Sequence, residues 1–110
     1  MKHIDEFTHI KELAEKIAAA INPLQIYLFG SFAEGRNNKD SDYDFYVIMP
    51  DNCKENPLDI AGQAYCSTRH IKKRPIDILV GKISTFNEMK NVPISVEYDV
   101  YNKGVLLYGY

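Results

Sequence analysis

The chain has 110 residues, with 13 Lys or Arg, 15 Asp or Glu and a formal net charge of -2 at pH 7. A chain of this length buries roughly 60 to 65% of its unfolded surface, which suffices for one core but leaves no room for a second substrate-binding domain. We therefore expect residues 1–110 to form a single domain. Because the net charge is close to zero, no general positive field can hold a polyanion, and direct nucleic-acid binding is not expected.

The cysteine content and the first residues bear on compartment. Cys53 and Cys66 have no second pair and no histidine at ligand spacing, so the sequence indicates neither a disulfide framework nor a zinc site. The first residues contain no apolar signal core, and no apolar run approaches the roughly 20 residues that cross a bilayer. We expect a cytoplasmic protein with reduced thiols and no membrane association.

The first predicted element is an amphipathic helix. Apolar residues recur at three- and four-residue steps from Ile4 through Phe7 to Ile21, with lysines and glutamates between them, and the pattern ends before Asn22-Pro23. Two short apolar runs follow, at residues 24–29 and 43–49, and their length and composition predict the first two strands.

A second helix and a third strand are predicted next. Pro57 stands at a suitable first helical position, and apolar residues follow it at helical spacing to about His70. Residues 76–80 then form an apolar run that Gly81 is expected to close. This run contains one charged residue, Asp77, and a carboxylate inside an apolar strand requires an explanation.

The last part of the chain is ambiguous at one segment. Ser84 is a candidate N-cap for a short helix over residues 85–90, and residues 105–108 predict a final strand. Between them, apolar and polar residues alternate over residues 94–100, which favours a strand, although valines four residues apart also fit a helix. The whole pattern predicts an α/β (α+β) fold with a small mixed β-sheet packed against helices.

An acidic pair lies at the start of the second predicted strand. Asp42 and Asp44 are two residues apart, so in an extended chain their side chains project from the same face, roughly 6.5 Å apart. The alternate residues would face the core and hold the pair rigidly. These residues are Tyr43, Phe45, Val47 and Met49.

Asp77 is predicted to join this pair, because the third strand turns it away from its apolar neighbours. Three carboxylates on neighbouring strands repel one another unless hard cations compensate their charge. Magnesium suits a site of carboxylate oxygens, waters and substrate phosphates. The sequence therefore predicts a magnesium site at Asp42, Asp44 and Asp77.

A glycine-serine turn precedes the acidic pair by a spacer of ten residues. Gly30 allows the backbone to approach an oxyanion closely, and Ser31 adds a hydroxyl donor at a point where free amides attract phosphate. If the first two strands are antiparallel, Gly30 and Asp42 lie at the same edge of the sheet. That arrangement suits phosphoryl or nucleotidyl transfer with two metal ions.

Together these segments resemble the signature of the DNA polymerase beta-like nucleotidyltransferase superfamily, and the length resembles its smallest branch, the minimal nucleotidyltransferases. The segments are Gly30-Ser31-Phe32-Ala33, Ser41-Asp42-Tyr43-Asp44-Phe45 and Ile76-Asp77-Ile78. The resemblance extends to the end of the chain, where a glycine precedes an apolar strand at residues 104–108.

The resemblance implies roles for these residues. Asp42 and Asp44 would bind two Mg2+ ions, and Asp77 would complete one metal site and help to deprotonate the acceptor. Gly30 and Ser31 would hold the triphosphate of ATP. Many relatives carry Arg-Gly after the Gly-Ser-x-Ala segment, whereas this chain carries Glu34-Gly35 with Arg36 one place later. The family's fold also implies a helix at about residues 94–102, against the local strand pattern.

Three functions remain open at this point. By resemblance, the chain is an adenylyltransferase that transfers AMP from ATP to a tyrosine of a HEPN-type ribonuclease toxin and so acts as its antitoxin. Alternatively, it neutralises that toxin by binding alone, with an unimportant metal site. A third alternative is a small-molecule nucleotidyltransferase that works as an oligomer.

Two further groups of residues have less specific interpretations. The basic run over residues 69–74 is expected to be a solvated helix end, with a partner or nucleotide contact as the alternative. His3, His9 and His70 are scattered along the chain and are expected at the surface.

Overall fold

The computed structural model describes residues 5–110. The first half contains α1 (Glu6–Ile21), β1 (Gln25–Phe29), α2 (Ser31–Glu34) and β2 (Tyr43–Met49). The second half contains α3 (Pro57–Thr68), β3 (Ile76–Lys82), α4 (Ile83–Met89), α5 (Val96–Lys103) and β4 (Val105–Tyr108). Ile4, the predicted start of the first helix, and His3 lie outside the described residues. From residue 5 onward, every helix is too short or too polar to cross a lipid bilayer.

The strands form one four-stranded sheet in the order β3-β2-β1-β4. β1 pairs antiparallel with β2 and with β4, whereas β2 and β3 pair in parallel. A parallel pair needs a long crossover connection, and α3 provides it. The sheet is therefore mixed, and the predicted α+β class is confirmed.

One face of the sheet carries the main core. α1 and α3 pack on it and cover the alternate buried residues of β2, namely Tyr43, Phe45, Val47 and Met49. The predicted burial of this set is confirmed, since each of these side chains is at most 5% exposed. Because these side chains are packed in the core, β2 is a rigid support for the residues that alternate with them along the strand.

The ends of α1 follow from local chemistry. Asp5 caps the start by accepting a hydrogen bond from the Thr8 amide at 2.8 Å. Asn22 ends the helix in the left-handed conformation with φ of 50°, as expected from the Asn22-Pro23 pair. Phe7 is 47% exposed, so the apolar stripe of the sequence is wider than the buried face.

His9 corrects the expectation of a surface histidine. It lies on the buried side of α1, and only 3% of its surface is exposed. Its ring packs edge-on against Tyr43 at 6.0 Å between centroids, and its Nδ1 lies 3.3 Å from Glu12 Oε1. The helical period places His9 on the same face of α1 as the core residues, and ligand spacing alone does not reveal this burial. His70 is exposed, as expected.

The second face of the sheet is only partly covered. Tyr46 and Ile48 of β2 are buried there, together with Phe86 of α4 and Val100 of α5. These contacts occupy the half of β2 that lies towards its C-terminal end. The N-terminal half of β2 therefore has an open polar face.

The boundary between β3 and α4 differs from the prediction. β3 continues through Gly81 to Lys82, and Gly81 pairs with Ile48 in the ladder. A β-carbon at Gly81 would overlap the Tyr46 hydroxyl, so glycine here admits a tyrosine ring instead of ending the strand. Ser84 is not the N-cap, because α4 begins at Ile83 and the Ser84 amide donates to Asp51.

The local alternation over residues 94–100, which favours a strand, is misleading, and the helix implied by the family resemblance is confirmed as α5. Ser95 caps it by accepting from the Tyr98 amide at 3.0 Å, and Gly104 follows its last residue. Val100 is fully buried, and Val96 packs beside it. The valines four residues apart therefore carried the correct signal, and tertiary packing decided between the two patterns.

The second helix and the last strand agree with the sequence. Asn56 caps α3 through its side chain, and Pro57 occupies the first helical position. The helix ends at Thr68, two residues before the expected end. β4 spans the predicted residues.

Candidate active site

The acidic residues converge at one end of the sheet. Asp44 is the second residue of β2, where it pairs with Phe29 of β1 on one side and with Asp77 of β3 on the other. Asp42 immediately precedes β2, and the Tyr43 amide donates to the Pro75 carbonyl at 3.1 Å, so the β2–β3 pairing begins beside it. Asp44 and Asp77 thus lie directly opposite each other, and Asp42 lies two residues before Asp44.

Burial differs among the three carboxylates. Asp77 is exposed, whereas Ile76 and Ile78 on either side of it are buried, as the alternation of the third strand predicted. Asp42 and Asp44 are intermediate. The charged residue inside an apolar strand is explained by the uncovered face of the sheet, towards which Asp77 projects.

The surroundings of Asp44 destabilise the ionised form of its carboxyl. Loss of hydration raises the pKa of its carboxyl to about 6, and the negative charges of Asp77 and Asp42 act in the same direction. No cation among the described residues contributes to this pKa shift. At neutral pH the ionised cluster therefore carries negative charge that a bound cation would stabilise.

Gly30 brings the glycine-serine turn against Asp44. Its backbone has φ of 77° and ψ of -153°, a region that is essentially restricted to glycine. A β-carbon at this position would overlap Asp44 Oδ2 and would lie 3.2 Å from its Cγ. Because β1 and β2 are antiparallel, the turn and the acidic residues do share one edge of the sheet, as expected.

The residues present fit a hard divalent cation by their chemistry. All three are aspartates, and oxygen ligands of this kind suit Mg2+, which also retains waters and binds substrate phosphates. Gly30 keeps one side of the Asp44 carboxylate free of side-chain atoms. Within residues 5–110, however, no three Asp, Glu, His or Cys side chains already converge on one point at ligand spacing. Water or a bound substrate would therefore have to complete the coordination of an ion held by these aspartates.

Arg36, the arginine displaced by one place relative to many members of the resembled family, contacts Glu34. Its Nη2 lies 3.3 Å from Glu34 Oε2, and its Nε donates to Oε1 at 3.3 Å. The hydrogen bond from Arg36 lowers the pKa of the Glu34 carboxyl. The Arg36 guanidinium therefore contacts Glu34, near the Gly30-Ser31 turn.

The basic run divides into two parts. Lys72 and Lys73 are exposed, which agrees with a solvated segment, and Arg69 contacts Cys66 Sγ at 3.4 Å. Arg74 instead has only 22% of its side chain exposed and forms an ion pair with Glu6. Sequence reasoning missed this role, because the partners of Arg74 are distant in sequence.

The cysteines are unpaired. Cys53 is partly buried and Cys66 is exposed, and both are free thiols. This agrees with the expected absence of a disulfide framework.

Comparison with known proteins gives a family match and similar folds. The sequence profile of the family "Polymerase beta, Nucleotidyltransferase" matches residues 9–110. No curated protein matches the chain significantly in sequence.

Three similar solved structures share the fold. A toxin-antitoxin crystallised with AMP-PNP has a TM-score of 0.58 and 20% identity, covering 91% of this chain and 73% of that one. A protein from Sulfolobus solfataricus, assigned as a nucleotidyltransferase, has a TM-score of 0.57 and 19% identity over 92% of this chain and 78% of its own. A mutant of the toxin-antitoxin MntA-HpeT has a TM-score of 0.55 and 18% identity, with coverage of 91% and 73%.

Proposed function

Because this chain belongs to the polymerase beta nucleotidyltransferase family, we propose that it transfers AMP from ATP to a tyrosine hydroxyl of a HEPN-type ribonuclease toxin and thereby acts as an antitoxin. The observation that carries the proposal is the cross-strand pairing of Asp44 with Asp77 beside the Gly30 turn. Two of the similar structures are toxin-antitoxins, and one of them was crystallised with AMP-PNP, which supports an adenine nucleotide and a toxin partner for this chain.

The proposed reaction needs three contributions from the chain. Gly30 and Ser31 would hold the triphosphate, and Asp42, Asp44 and Asp77 would together hold two Mg2+ ions. The acceptor oxygen forms a bond to the α-phosphorus, and the bond from that phosphorus to the α,β-bridging oxygen breaks, which releases pyrophosphate. The proton of the acceptor hydroxyl passes to Asp77, the exposed member of the cluster. Bound Mg2+ supplies the positive charge that acidifies the acceptor hydroxyl and offsets the charge of the leaving group.

The open face of the sheet favours a protein acceptor. α4 and α5 cover only the half of that face around Tyr46 and Ile48. The acidic end therefore has few walls of its own with which to enclose a small acceptor, and an acceptor that brings its own surface fits it better.

The test uses the purified chain, a HEPN-type ribonuclease toxin as the candidate partner, and Mg2+. ATP labelled at the α-phosphate should transfer label to the partner, and ATP labelled at the γ-phosphate should not. Asp42→Asn and Asp77→Asn should abolish labelling, whereas Asp99→Asn, which changes an exposed carboxylate on α5, should retain it.

The competing function, neutralisation by binding alone, predicts a different result. In that case the toxin would be inhibited equally by the wild type and by Asp42→Asn, and no label would appear on it. Labelling from the γ-phosphate would instead indicate phosphoryl transfer and would contradict the proposed reaction.

A further inference from the structure

Arg74 connects segments that are distant in sequence. Its Nε and Nη2 donate to Glu6 Oε1 at 3.2 and 3.1 Å, which ties the start of β3 to the first turn of α1. Its Nη1 faces three backbone carbonyl oxygens of the segment that leads into Asp42. These belong to Asn38 at 3.4 Å, Lys39 at 2.8 Å and Ser41 at 3.3 Å.

The same guanidinium lies over the ring of Phe32, next to the glycine-serine turn. Its Cζ lies 5.1 Å from the centroid of the Phe32 ring, and Phe32 directly follows Gly30-Ser31. The Phe32 ring packs edge-on against Tyr43 at 4.8 Å between centroids. Tyr43 separates Asp42 from Asp44, and its hydroxyl donates to the second carboxylate oxygen of Glu6.

These contacts lie behind the acidic residues, not among them. Tyr43 faces the main core, whereas Asp44 projects from the opposite side of β2. Arg74 is therefore placed to hold the backbone on both sides of the site without touching the carboxylates that would bind metal.

A guanidinium is required for this set of contacts. It is planar, offers five N–H donors in fixed directions and presents a face that stacks on aromatic rings. Lysine retains the charge but has a single ammonium group, which cannot reach Glu6, the carbonyls of the 38–41 segment and the Phe32 ring at once. Charge alone therefore cannot replace Arg74.

We propose that Arg74 is a positioning residue of the transferase site, fixing the 38–41 segment, and with it Asp42, relative to the Gly30-Ser31 turn. This inference rests on the proposed function for its effect on catalysis. Its effect on the backbone is independent of that function, so the two can be tested separately.

The experiment compares Arg74→Lys and Arg74→Gln with the wild type and with Lys73→Gln, which removes an adjacent exposed cation as the matched control. Amide hydrogen exchange is followed at residues 38–43, and label transfer to the partner is measured as kcat and KM for ATP. Both Arg74 variants should exchange faster in this segment. They should also lose about 10- to 100-fold in kcat, as small misplacements of reacting groups do, with KM changed far less.

Lys73→Gln should match the wild type in both measurements. Arg74→Lys with wild-type exchange and wild-type kcat would overturn the inference, because it would show that charge alone suffices. If Arg74→Gln does not fold, Arg74→Lys still decides the question, because it leaves Glu6 and its contact with the Tyr43 hydroxyl unchanged. If the wild type transfers no label, the proposed function fails. Unchanged amide hydrogen exchange in Arg74→Lys would separately refute the positioning role of Arg74.

Discussion

The backbone of Gly30 lies directly against the carboxylate of Asp44, so that a β-carbon at residue 30 would overlap Asp44 Oδ2. The contact joins the turn proposed to hold phosphate to the carboxylate proposed to hold metal. Its requirement for glycine is twofold, because the backbone conformation of Gly30 is also one that other residues rarely adopt.

Gly30→Ala is expected to abolish label transfer, because Asp44 must rotate away from the added methyl group. The strained backbone should also lower the free energy of unfolding by about 1–3 kcal/mol. Gly35→Ala is the matched control, since Gly35 also has positive φ, 72°, but a β-carbon there would meet nothing within 4 Å. Urea unfolding should show a loss for both variants, and only Gly30→Ala should lose activity. Equal activities of the two variants would contradict the proposed role of this contact.

Asp44→Asn is expected to stabilise the metal-free protein at neutral pH. The pKa of Asp44 is raised from 3.8 to about 6, so the folded state binds this proton more tightly than the unfolded state does. Its contribution to stability is therefore full below pH about 4 and is lost as the pH rises towards about 6.

The measurement is urea unfolding of both proteins in EDTA across this pH range. After allowance for solvent screening, the variant should exceed the wild type by about 1–2 kcal/mol at pH about 7.5, and the difference should close near pH about 4. Asp99→Asn, which removes a carboxylate at an exposed position outside the cluster, is the control variant. A difference that grows as the pH falls would show that the sign is wrong.

Addition of Mg2+ is expected to raise the Tm of the wild type at neutral pH, because an ion that binds the folded state alone stabilises it by mass action. The increase should disappear in Asp44→Asn and persist in Asp99→Asn. Differential scanning fluorimetry over a magnesium titration measures both, with an equal concentration of potassium as the control for ionic strength. An equal increase in all three proteins would indicate a salt effect and not a site.

Gly81→Ala is expected to destabilise the contact between the sheet and α5. The added methyl group would overlap the Tyr46 hydroxyl, which donates to Glu97 Oε2 at 2.7 Å. Tyr46→Phe removes that hydroxyl, so the double variant should recover part of the stability that Gly81→Ala loses. Thermal unfolding of the two single variants and the double variant gives the coupling free energy directly. Additive losses would show that the two positions do not interact.

The sequence predicted those features that depend on local periodicity. The alternation in β2 correctly assigned Tyr43, Phe45, Val47 and Met49 to the core, and the same rule placed Asp77 opposite Ile76 and Ile78. The position of Gly30 and Asp42 at the same edge of the sheet followed from the antiparallel pairing of two short strands.

What the sequence could not predict depends on tertiary contacts. Residues 94–100 fit both periods, so the local pattern alone does not select the helix that the family resemblance implied. The burial of Val100 against the sheet explains why the helix forms. Gly81 resembles a strand end until the Tyr46 ring is placed over it. Arg74 resembles the other members of a basic run, because its partners lie 33 to 68 residues away.

The acidic residues lie at the start of β2, and the connection to α3 leaves from its other end. The strand starts at Tyr43 beside the acidic residues and ends at Met49, about 20 Å away at 3.3 Å per residue. The segment joining it to α3 therefore begins at the end of β2 away from the acidic residues, and Lys54 and Glu55 there are exposed. A fluorescent reporter inserted between these two residues would leave the acidic end free, so that partner docking could be followed in living cells.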